Sequence, residues 1–191
     1  MTAEFTLADV PDLSGVFEEY TGPEPWADGT YEARIERERR ITDRNGNERV
    51  FESGDAPSAN GNGRNIRLQL TVTRKSDGRT LGSQFSVFYR PSDITQETVQ
   101  AIIAHKESTP EGEKTQWGEL FGPFMTLQRL AKLQKIAGVR SFARTEEGGL
   151  DISGLYGKKV YARLGPDKRS EGKYKEVLDV SNEPPKRNPV L

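Results

Sequence analysis

Residues 66 to 73 alternate without a break: Ile66, Leu68, Leu70 and Val72 fall on one parity, and Arg67, Gln69, Thr71 and Thr73 on the other. Strict period two over eight residues describes a strand with one face buried and one wet. Ser76-Asp77-Gly78-Arg79 follows, and Asp-Gly is a strong short hairpin signal. A partner strand is therefore expected from about Leu81 to Arg90. There Phe85, Val87 and Tyr89 share one parity, and Gln84, Ser86, Phe88 and Arg90 share the other. This hairpin is the fixed point from which the rest of the chain is read.

The same alternation occurs before and after it. Tyr31, Ala33 and Ile35 alternate with Glu32, Arg34 and Glu36, which predicts a first strand opening near Gly29. Val160, Ala162 and Leu164 predict a fourth, and Tyr174, Leu178 and Val180 a fifth. Between the third and fourth strands the period changes. Ser92-Asp93 is placed to cap a helix carrying Ile94, Val99, Ile102 and Ile103. Phe121, Phe124, Leu127, Leu130, Ala131, Leu133 and Ile136 recur at intervals of three and four. Pro123 suits the first turn of that second helix, and Gly138 its stop. Residues 106–118 between the helices read as a polar loop, and Gly148-Gly149 as a turn before a short Leu150–Leu155 segment.

The expected class is a β-rich α+β fold. Three strands, a helical insertion and two strands match the order of an OB-fold-like five-stranded barrel, with helices inserted between strands three and four. Loop placement agrees. Residues 42–63 hold Asp43-Arg44-Asn45-Gly46-Asn47 and Asn60-Gly61-Asn62-Gly63-Arg64, and read as a long mobile loop with a short hairpin at most near Val50-Phe51. Gly165-Pro166 through Gly172 joins the last two strands. These are the two loops that flank the ligand groove in such a barrel.

Composition sets the borders. A length of 191 residues suits one domain with long loops. Residues 1–28 contain seven acids (Glu4, Asp9, Asp12, Glu18, Glu19, Glu24, Asp28) and no Lys or Arg, and read as an acidic N-terminal arm. Residues 29–181 form the expected domain, and 182–191, with Pro184, Pro185 and Pro189, a tail. From residue 29 onward 28 basic residues face 22 acidic ones, a split that hints at an anionic partner. With no cysteine there is neither a disulfide nor a thiolate metal site, and a single histidine, His105, rules out a zinc site built of histidines. No metal or cofactor is expected. No apolar run reaches membrane-spanning length, and Met1-Thr2-Ala3-Glu4 opens without a leader-like region. A cytoplasmic location is the resulting expectation.

Catalytic motifs are missing: the sequence has no G-x-x-x-x-G-K-[ST], G-x-S-x-G or H-E-x-x-H, and His105 has no positioned partner. A binding protein, not an enzyme, is expected. Single-stranded nucleic acid needs cations along its backbone and flat rings under its bases. On the outward parity of the strands the candidates are Arg67, Gln69, Phe88, Tyr161 and Arg163, with Lys173 and Lys175 opening strand five. The loops add Arg44, Arg49 and Arg64 on one side and Lys168 and Arg169 on the other. Trp26 and Trp117, in irregular segments, are expected to pack loops onto the body. Arg129, Lys132 and Lys135 form a basic strip that reads as a solvated helix face.

Asp28-Gly29-Thr30-Tyr31, Gly63-Arg64-Asn65-Ile66, Leu130 to Gly138-Val139 and Leu150–Leu155 with Gly157-Lys158-Lys159-Val160 together resemble phage-encoded OB-fold single-stranded DNA-binding proteins. The resemblance spans roughly residues 28–181. It implies non-sequence-specific single-stranded DNA binding in phage replication or recombination inside a bacterial cell. Replication or recombination proteins and further copies of the chain are the implied partners. The sequence departs from that pattern in its acidic arm, in residues 106–118 and in its basic ending Lys186-Arg187-Asn188-Pro189-Val190-Leu191. The competing expectation is a protein-interaction or assembly module that uses the barrel surface and the acidic arm.

Overall fold

A computed structural model describes residues 25–43, 45–167 and 174–184. Its strands are β1 (Gly29–Glu36), β2 (Glu38–Thr42), β3 (Glu48–Glu52), β4 (Gly54–Pro57), β5 (Arg64–Thr73), β6 (Thr80–Tyr89), β7 (Lys159–Pro166) and β8 (Lys175–Ser181). Helices α1 (Gln96–Glu107) and α2 (Phe121–Ala137) lie between β6 and β7.

The β5–β6 hairpin forms as its alternation dictates, with ten facing pairs from Arg64↔Tyr89 to Thr73↔Thr80. The other edge of β5 is shared: β4 covers Arg64 to Arg67, and β1 covers Gln69 to Thr73. Strand β1 then pairs with β7, and β7 with β8, all antiparallel. The ladder thus runs β6-β5-β1-β7-β8. The expected closed barrel is not completed by hydrogen bonds. Strand β8 comes alongside β6, but no ladder joins them among the described residues.

One face of this sheet is the core. Ile35, Ile66, Leu68, Leu70, Val72, Val87, Tyr89, Leu155, Val160, Ala162, Leu164 and Val180 are almost wholly buried there. Each large aliphatic side chain contributes about 1.5–3 kcal/mol. Helix α2 closes the core with Leu130, Leu133 and Ile136, spaced three apart on one face, and packs on β6 and β8. It stops at Gly138, whose φ of 77° is the left-handed conformation that a side chain disfavours.

Several expectations are corrected. Residues 42–63 are not one loop, because β2 and β3 form a second, two-stranded sheet and β4 joins the main one. Thr95, not Ser92-Asp93, caps α1: its hydroxyl accepts the Thr98 amide, and Pro91–Ile94 forms a separate 3-10 turn. In β8 the buried residues are Val177 and Val180. Tyr174 and Leu178 are exposed, because a register shift at Arg163/Leu164 breaks the alternation. The strip on α2 is largely exposed, as expected, and two of its lysines are also paired. Lys132 pairs with Asp179 at 2.6 Å and Lys135 with Glu183 at 2.5 Å, tying the helix to β8 and the segment after it.

The β2–β3 excursion needs a seam where β5 passes from β4 to β1, and Ser53 supplies it. Its hydroxyl accepts the Gln69 amide (2.8 Å) and donates to the Glu36 carbonyl (2.6 Å). The Ser53 amide donates to Arg37, and its carbonyl accepts from the Tyr156 hydroxyl. One small side chain thereby satisfies backbone groups that neither strand pairs, as buried peptide groups require.

Candidate nucleic-acid interface

Held by that seam, the β2–β3 hairpin stands over the outer face of β5 and β6. A groove of about 520 Å³ lies between them, within the usual range for ligand sites. The hairpin side is Val50, Phe51 and Glu52, and the sheet side is Arg67, Gln69 and Gln84. Phe51 is 37 % exposed and Val50 48 %. A ring left this open on a short hairpin can take a stacking partner.

Arg39 holds the hairpin against the sheet. Register places it opposite Phe51, and its guanidinium lies 5.5 Å from that ring's centre. Its Nε donates to Gln69 Oε1 at 3.4 Å, Gln69 Nε2 to Gln84 Oε1 at 3.2 Å, and Gln84 Nε2 to Ser86 Oγ at 2.9 Å. The chain of bonds crosses from hairpin to sheet. Gly82 makes it possible, since a Cβ there would come within 2.5 Å of Arg39 Nη1. Burial lowers the Arg39 pKa, yet the group keeps its charge.

Of the twelve residues expected to bind, the structure brings few together. Arg67 is exposed, lines the groove and faces Ser86 across the ladder. Phe88, 41 % exposed, stands one outward position further along β6, opposite Asn65. Its ring covers Gly63, where a Cβ would lie 2.7 Å from it. Arg49 is exposed on β3. Gln69 is on the expected face but is only 1 % exposed, because the hairpin covers it; its outward placement is corrected to a buried link.

Arg64 is likewise corrected. It is the first residue of β5 and not a loop clamp, and its Nε donates to Asp55 at 2.9 Å. The Asp55 side chain is 1 % exposed, and it also accepts from the Tyr89 hydroxyl (2.5 Å) and the Leu150 amide (2.7 Å). This cluster pins β4 and the 144–150 turn to the end of β5 and β6. Burial first, then the Asp55 carboxylate, pushes the Tyr89 pKa upward.

Tyr161, Arg163 and Lys175 lie elsewhere. Tyr161 faces Glu32, which faces Thr73, whereas Phe88 faces Asn65. Three strand spacings and eight residues along β5 put the two rings roughly 30 Å apart. Half-buried Tyr161 lines a second cleft, of about 540 Å³, with Pro25, Glu32, Arg74 and Lys75. That cleft's charges are already matched. Arg74 pairs with Asp77 and sits 5.3 Å from the Trp26 ring, and Lys75 pairs with Glu32 at 2.7 Å. The hydrogen bonds from Arg74 hold the Asp77 pKa down at about 2. Arg163 is exposed, while Lys175 pairs with Asp28 at 2.5 Å. Arg44, Lys168, Arg169 and Lys173 lie outside the described residues.

Both tryptophans pack segments onto the body, Trp26 edge-on to Tyr31 at 5.1 Å and Trp117 stacked on Phe124 at 4.0 Å. The His105 Nε2 lies 2.8 Å from the Gln116 carbonyl oxygen. Among the described residues no group of three metal-ligating side chains occurs, and no helix is long and apolar enough to cross a membrane. Sequence reasoning missed Phe51 and Arg39. Their signal was the short stretch of β-prone residues at Val50-Phe51, set opposite Arg39-Arg40-Ile41. Comparison with models of known protein families and with curated protein sequences found no match.

Proposed function

We propose that the chain binds single-stranded DNA without sequence preference, in the groove between the β2–β3 hairpin and the outer face of β5–β6. The observation that carries this reading is an exposed ring, Phe51, beside Arg67 in one open groove, with a second exposed ring, Phe88, one outward position beyond Arg67's partner Ser86 on β6. Stacked bases contribute about 1–3 kcal/mol each, whatever their identity. The buried amide of Gln69 is spent on Arg39 and Gln84, and that of the exposed Gln84 on Gln69 and Ser86, so both offer little base-specific readout.

The pairing order β6-β5-β1-β7-β8 supports an OB-type reading, in which β6 and β8 are the strands that would close the barrel. In such a barrel the ligand lies on the face of β5 and β6, where the hairpin stands. The phage replication or recombination setting, in the cytoplasm of a bacterial host, rests on the sequence resemblance alone.

The charge is modest. Arg67 lines the groove, Arg39 and Arg49 stand on the two strands of the hairpin beside it, and Glu52 is on its rim. Three phosphate contacts on a single strand give a slope of about −2 in log K against log salt. Anisotropy of a fluorescent oligo-dT, titrated at several salt concentrations, tests this. Binding that weakens along that slope supports the proposal, and absence of binding at low salt refutes it. Duplex DNA bound equally well also refutes it, because stacking requires unpaired bases.

A further inference from the structure

The described fold leaves an apolar groove between α1 and α2, of about 590 Å³, on the helical side of the molecule. Val99, Ile102 and Ile103 of α1 form one wall, and Phe124, Leu127 and Ala131 of α2 the other. Ile103 remains 43 % exposed. No carboxylate lines the groove, and its one charged residue is the exposed Arg144.

We propose that this groove is the seat of the chain's own residues 1–24, bound within the same molecule. Three observations select that occupant. Leu13, Val16, Phe17 and Tyr20 stand at i, i+3, i+4 and i+7, the spacing by which an amphipathic helix enters an apolar groove. Residues 1–24 hold six carboxylates and no cation, which suits a groove whose only charge is positive. The other segment outside the described residues at a chain end, 185–191, offers only Val190 and Leu191 as large apolar side chains and is basic.

The attachment point also fits. Pro25, the first described residue, lines a cleft with Pro184, and Glu183 beside it pairs with Lys135 in the last turn of α2. Gln134, next to Lys135, belongs to the groove wall. The eight steps from Phe17 to Pro25 span up to about 27 Å when extended, about the length of the seventeen-residue α2. Seating would cover Leu127 and Ile103 and place the acids at the rim, close to Arg144.

The test uses the full-length protein with the photoreactive residue p-benzoylphenylalanine in place of Ile103, and the same protein carrying Phe17→Asp. Crosslinked peptides are identified by mass spectrometry after mixing isotopically light and heavy copies. The expected result is a light–light or heavy–heavy crosslink to residues 1–24 whose yield falls at least tenfold in Phe17→Asp. Hydrogen exchange of the α1 and α2 amides in otherwise unmodified protein gives a second readout, with protection expected to drop in Phe17→Asp. Crosslinks to residues 185–191, crosslinks between light and heavy copies, or exchange and yield unchanged by Phe17→Asp would each overturn the proposal.

Discussion

Replacing Ser53 with alanine removes one hydroxyl and with it two hydrogen bonds, one accepted from the Gln69 amide and one donated to the Glu36 carbonyl. Alanine fits the same space, so the loss is of hydrogen bonding and not of packing. Gln69 is 1 % exposed and Ser53 7 %, so water cannot replace the hydroxyl at the Gln69 amide without opening the seam. A buried donor left unpaired costs about 1–3 kcal/mol. The Glu36 carbonyl belongs to a half-buried residue and recovers part of its loss from water. The expected destabilisation is therefore about 2–3 kcal/mol. Urea unfolding followed by far-ultraviolet circular dichroism measures it, with an unchanged m-value showing that the denatured state is not altered. Exchange of the Gln69 amide should quicken with it. A loss below about 0.5 kcal/mol, the range of an ordinary surface substitution, would refute the role of Ser53 as the seam.

Further expectations follow from the same contacts. Phe51→Ala should weaken oligo-dT binding by about tenfold, within the range of one lost stack, whereas Tyr161→Ala, in the separate cleft with Pro25 and Lys75, should leave it nearly unchanged; anisotropy titrations compare the two. Arg64→Ala strips the partner from the Asp55 carboxylate and should cost about 3–5 kcal/mol by urea unfolding. Tyr89 binds its proton more tightly folded than unfolded. The stability this gives is whole below pH of about 10, the unfolded value, and is lost as pH rises through the higher folded value. The unfolding midpoint should fall above that pH, and fall less steeply in Tyr89→Phe.

Much of the scaffold was legible because it obeys local periods. Alternation in β1, β5, β6 and β7 named Ala33, Ile35, Leu68, Val87, Val160 and Ala162 as core, and three-and-four spacing placed Leu130, Leu133 and Ile136 on the buried face of α2. Local signals fail where a distant segment decides the outcome. Gln69 has outward parity, but the hairpin above it buries it. Arg64 sits beside glycine and asparagine like a loop cation, yet Asp55, nine residues away, draws it into an ion pair. The bulge in β7–β8 moves burial from Leu178 to Val177, and no residue type there announces it. Five-residue strands exposed on every turn, such as β3, have no buried face to produce a pattern, which is why Phe51 escaped notice.

The groove itself is most directly tested by photocrosslinking to an oligo-dT carrying 5-iodouracil, which couples to aromatic rings stacked on the base, with the attachment sites read by mass spectrometry. Attachment at Phe51 and Phe88 is the predicted result. Attachment confined to Tyr161, Tyr174 or the α1–α2 helices, with Phe51 and Phe88 unmodified, would contradict it.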